Sequence, residues 1–72
     1  MFERYRITVL QPEAPAEQTW VLLPDRESAE TQARELARRQ KQWRIRVYRE
    51  EVLTTPLGAG EVVFERGEGS AA

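Results

Sequence analysis

From Glu3 to Leu10 the chain alternates, with Tyr5, Ile7 and Val9 on one side and Arg4, Arg6 and Thr8 on the other. A period of two with β-branched residues is the pattern of a strand buried on one face, here β1. Gln11 to Gln18 holds two prolines and no apolar period. Proline cannot donate to a sheet ladder, so this stretch reads as a polar connection. Thr19 to Leu23 follows as a short strand, β2, apolar on both sides, so that either Trp20 and Leu22 or Val21 and Leu23 turn inward. Pro24 ends it. Asp25 is a favourable helix cap, and Glu27 and Glu30 stand near the positive end of the dipole that would follow.

Strong helix formers run from Arg26 to about Gln42, with Ala29, Ala33, Leu36, Ala37 and Gln40 on one face. This spacing predicts an amphipathic helix, α1. A stripe of alanine lets a helix approach a sheet closely but supplies little driving force, because burial yields about 25 cal/mol per Å² of apolar area. The bulk of the core must then come from the sheet. Alternation resumes from Trp43 to Val52, with Trp43, Ile45 and Val47 against Arg44, Arg46 and Tyr48, and predicts β3. After a turn-rich stretch from Leu53 to Gly60, residues Glu61 to Arg66 predict β4, with Val62 and Phe64 inward and Glu61, Val63 and Glu65 outward. Gly67 to Ala72 has nothing to bury. The expected organisation is one α+β domain over residues 1–66 and a disordered tail over 67–72.

The order β1-β2-α1-β3-β4 admits few arrangements, since sequential strands tend to pair and helical crossovers between parallel strands are right-handed. If β3 returns parallel to β2 and inserts beside β1, the result is a four-stranded antiparallel sheet of order 2-1-3-4. The helix packs on one face and the other meets solvent. The alternative, 1-2-3-4, requires a parallel β2–β3 pair and is the less favoured.

Composition narrows the chemistry. Seventy-two residues, 40% of them apolar and 32% charged, suit one small globular domain. Such a chain buries roughly 60% of its unfolded surface and leaves no room for a large enclosed cavity. Histidine, cysteine and asparagine are absent and Asp25 is the sole aspartate, which removes the usual transition-metal ligand sets and thiol chemistry. No metal or cofactor is implied. Ser28 and Ser70 have no histidine to activate them, and Glu50 and Glu51 point to opposite faces of a strand. Gly58-Ala59-Gly60 precedes a strand rather than a helix and lacks the third glycine of a dinucleotide fingerprint. The chain reads as no enzyme. No apolar run approaches membrane-span length and the first residues, MFERYRITVL, lack a signal peptide's pattern, so the cytoplasm is the expected compartment and no membrane partner is expected. Ten arginines against one lysine, with frequent alanine, point to GC-rich coding.

Two charged features remain. In the order 2-1-3-4 the helix-free face presents Arg4, Arg6, Thr8, Arg44, Arg46 and Tyr48. Four arginines around a tyrosine could receive an acidic protein, or a phosphodiester backbone with Tyr48 stacking on an unpaired base. The plainer account is that Glu61 and Glu65 on neighbouring β4 pair with Arg44 and Arg46. Secondly, residues 34–49 carry seven basic side chains against Glu35 alone, inside a chain of net charge −1. Cations in the last helical turns complement the dipole, and an acidic pI near 5.5 argues against non-specific coating of DNA. Trp43 is expected to cover the end of α1. β2 exposes apolar area on an edge, where a partner strand or a second copy could dock unless the 11–18 connection or the tail covers it.

The leading expectation is a small, non-enzymatic, cytoplasmic protein-binding module, a regulator or adaptor of bacterial or phage type. It would dock through the open sheet face or the β2 edge, with Arg4, Arg6, Arg44, Arg46 and Tyr48 as polar contacts and Trp20 or Val21 as apolar anchor. The alternatives are a nucleic-acid module using the same arginines and Tyr48, and a structural subunit that dimerises through β2.

Overall fold

Alternating segments become strands and the alanine-striped segment becomes the helix, in the order β1 (Glu3–Leu10), β2 (Gln18–Leu23), α1 (Arg26–Arg39), β3 (Arg44–Glu51) and β4 (Glu61–Arg66). The computed structural model describes residues 3–51 and 60–66. The expected tail, 67–72, and most of the turn after β3 lie outside the described residues. The sheet order is β2-β1-β3-β4, with every neighbouring pair antiparallel.

Helix α1 starts where the sequence predicts, because the Asp25 carboxylate accepts the Ser28 backbone N–H at 2.9 Å. It ends at Arg39, earlier than expected. Gln40 leaves helical geometry at φ −112° and ψ 84° while its N–H still reaches the Leu36 carbonyl. The Trp43 N–H then bonds to the Gln40 carbonyl at 3.3 Å, which turns the chain so that Trp43 packs against the core. Ala29, Ala33 and Ala37 lie buried against Tyr5, Ile7, Val9, Ile45 and Val47. Bulk from the two central strands meets a smooth helix face, as an alanine stripe requires.

β1 and β3 pair without interruption, from Glu3 opposite Glu51 to Leu10 opposite Arg44. Each outer strand carries one irregularity. Val21 lies opposite Ile7 but Thr19 opposite Thr8, so Trp20 is the extra residue of a β-bulge. Val21 and Leu23 consequently turn to the helix side, and Trp20 and Leu22 stand 51% and 49% exposed. Across β3 and β4, Phe64 lies opposite Val47 but Val62 opposite Tyr48, leaving Val63 as the extra residue.

That second bulge corrects the sequence reading of β4. Phe64 faces inward as expected, whereas Val62 shares the face of Tyr48 and is exposed, and Glu61 crosses to the helix side opposite Arg49. A single inserted residue reverses every side chain beyond it.

Candidate functional site

The helix-free face gathers Arg4, Arg6 and Thr8 from β1 with Arg44, Arg46, Tyr48 and Glu50 from β3, as the period of two requires. It is not the open, solvated surface expected. Arg6, Thr8, Tyr48 and Glu50 are all buried. Glu50, 1% exposed, is the organising charge. Arg4 Nε donates to its Oε1 at 2.9 Å and Arg6 Nη2 donates to its Oε2, so two strands are tied by one carboxylate. Burial pushes the Glu50 carboxyl up, but the hydrogen bonds and charges of Arg6 and Arg4 outweigh it and hold its pKa below the usual carboxylate range. Gly60 belongs to this packing, since a Cβ there would lie 2.5 Å from Glu50 Cγ and 2.6 Å from the Arg49 carbonyl oxygen.

The remaining cations of this face also have partners within the chain. Arg46 Nε donates to Glu65 at 2.7 Å, its Nη1 donates to the Tyr48 hydroxyl at 3.2 Å, and these contacts raise its pKa. Glu17, from the end of the proline-containing connection, reaches over the sheet. It accepts from the Tyr48 hydroxyl at 3.4 Å and lies 3.7 Å from Arg44 Nη2 and 3.6 Å from Arg46 Nη1. The Arg6 guanidinium sits 5.2 Å from the Tyr48 ring centroid, and with Tyr48 only 8% exposed the ring is not presented for stacking on a base. On the helix side, Arg49 bonds to Glu3 at 2.7 Å and Glu61 at 2.9 Å.

Of the residues singled out in the sequence, the fold therefore brings Arg4, Arg6, Arg44, Arg46 and Tyr48 onto one face, where they form an internal ionic network. Trp20 stands apart from them, at the edge of the sheet, with its indole edge-on to Trp43 at 5.5 Å between centroids. Sequence reasoning missed Glu50 and Glu17. Aligning the inward residues Ile7 and Val47 as cross-strand partners would have placed Glu50 opposite Arg4, whereas nothing local marks Glu17. Among the described residues no group of three or more acidic side chains could hold a metal ion, and no helix is long and apolar enough to cross a membrane. Comparison of the chain with protein-family models, curated proteins and solved structures finds no match.

Proposed function

We propose that this chain is a non-enzymatic protein-binding module that docks through the edge of β2, with Trp20 and Leu22 as its apolar anchors. The observation that carries the reading is that Gln18–Leu23 is an outer strand without a charged residue or a proline, and it exposes half of a tryptophan and half of a leucine. Edge strands in isolated domains are usually blunted by lysine, proline, a bulge or a cover, and β2 carries the bulge at Trp20 but neither lysine nor proline. An uncharged edge offers backbone hydrogen bonds to an added strand, and a half-exposed tryptophan is a favoured anchor of interfaces. The arginines of the sheet face supply rigidity instead, because Glu17, Glu50 and Glu65 already engage them.

The test is a photocrosslinking amino acid placed at Leu22 in cells of the source organism, with a control at exposed Glu13. A discrete heterologous adduct from position 22 alone, abolished by Trp20→Lys, is the expected result. An adduct with a second copy of the chain would replace the module by a homo-oligomer subunit. Adducts equal at both positions would overturn the reading, and so would salt-sensitive amide shifts at Arg4 and Arg44 on adding single-stranded DNA.

A further inference from the structure

The basic block at residues 34–49 divides between two surfaces with different fates. Its strand half is neutralised: Arg44 and Arg46 face Glu17, Arg46 also bonds Glu65, and Arg49 bonds Glu3 and Glu61. Its helix half is not. Glu35 is shared by Arg38 and Arg39, and Glu30 is shared by Arg26 and Arg34. Neither Lys41 nor Arg66 forms an ion pair with a carboxylate among the described residues. Arg66 donates instead to the Ala37 carbonyl at 3.0 Å, which ties β4 to the last turn of α1. The end of a helix dipole amounts to about half a negative charge, too little to account for this excess.

These cations surround a groove of about 340 Å³ between α1 and β4, lined by Arg34, Ala37, Arg38, Lys41, Phe64 and Arg66. Its floor is apolar, from Ala37 and the half-buried Phe64, and its rim is entirely basic. We infer that this groove binds an acidic peptide segment of a partner protein, seating one apolar side chain on Phe64 and Ala37 with carboxylates on Lys41 and Arg66. Charge complementarity selects the acidic partner, and the floor selects a peptide over a nucleic acid. Arg34 lies over the Phe64 ring at 6.0 Å from its centroid, adding a cation to the rim above the apolar floor. The cations also cluster around one small floor and do not form a track that a phosphodiester backbone could follow. This site shares no residue with the β2 edge, so the two stand or fall separately.

The experiment is an amide NMR titration of the labelled full chain with a nonapeptide of glutamates and aspartates around a central leucine. Its leucine-to-serine analogue, its all-lysine counterpart and a short single-stranded oligonucleotide serve as comparisons. Saturable shifts confined to residues 34–41 and 64–66 are expected from the acidic leucine peptide. Lys41→Glu combined with Arg66→Glu should weaken binding at least about tenfold, equivalent to 1.4 kcal/mol. Lys41→Glu alone, which breaks no ion pair among the described residues, keeps the test valid if the double variant unfolds, and Gln32→Ala, at an exposed position outside the groove, should leave the affinity unchanged. Absence of shifts at about 1 mM peptide, equal binding by the serine analogue, or tighter binding of the oligonucleotide at these residues would each overturn the inference.

Discussion

The Glu50 side chain has no exposure to water, and two guanidinium groups stand in for its hydration shell. Removing one member of a buried ionic cluster costs far more than the cluster's net contribution, because the charges left behind have lost their solvent as well as their partner. Glu50→Ala should therefore destabilise the fold by about 3 kcal/mol, a large part of what so small a domain possesses, measured by urea unfolding followed by circular dichroism. Arg38→Ala, which removes a solvent-exposed partner of Glu35, should leave the urea midpoint nearly unmoved. The arginine face was legible as a face because the alternation of β1 and β3 fixes it. Its internal pairing was legible in part: Arg46 bonds Glu65 as expected, whereas Glu61 pairs with Arg49 and Arg44 faces Glu17. Its burial was not legible, nor was the reach of Glu17, which lies 31 residues from the Tyr48 it contacts.

At the scale of the elements, the alanine stripe decides how close α1 lies to the sheet. Ala33 has no exposed surface and packs among the residues of β1 and β3, so a larger side chain must push the helix off. Ala33→Leu should cost about 1–3 kcal/mol through overpacking despite leucine's good helix propensity, and a lowered thermal midpoint with retained helical ellipticity would register it. The four strands and the helix could be read from periodicity and capping, and their order from pairing preferences and crossover handedness. The two bulges could not. A bulge leaves the apolar composition of a strand intact and alters only its phase, so Val62 read as inward and Glu61 as outward on the Tyr48 side, where the structure exchanges them.

For the molecule as a whole, the near-balance of 11 basic and 12 acidic residues hides a strong sensitivity to acid. A carboxyl whose native pKa is depressed contributes stability above its unfolded value, about 4.3 for glutamate, and that contribution is lost as pH falls through the lower native value. The signs for Glu50, Glu30 and Glu35 all run this way. Once the carboxylates are neutral, 11 positive charges remain with nothing to oppose them. Thermal melts should show a midpoint that is flat near neutrality and falls below about pH 4, and Glu50→Gln should shallow that fall. The edge-to-face pair of Trp20 and Trp43 bears on how the two surfaces could be watched. These are the chain's only indoles, both sit by the β2 edge, and none lines the α1–β4 groove. Intrinsic emission thus acts as a built-in, label-free reporter that answers to occupancy of one surface and stays silent for the other.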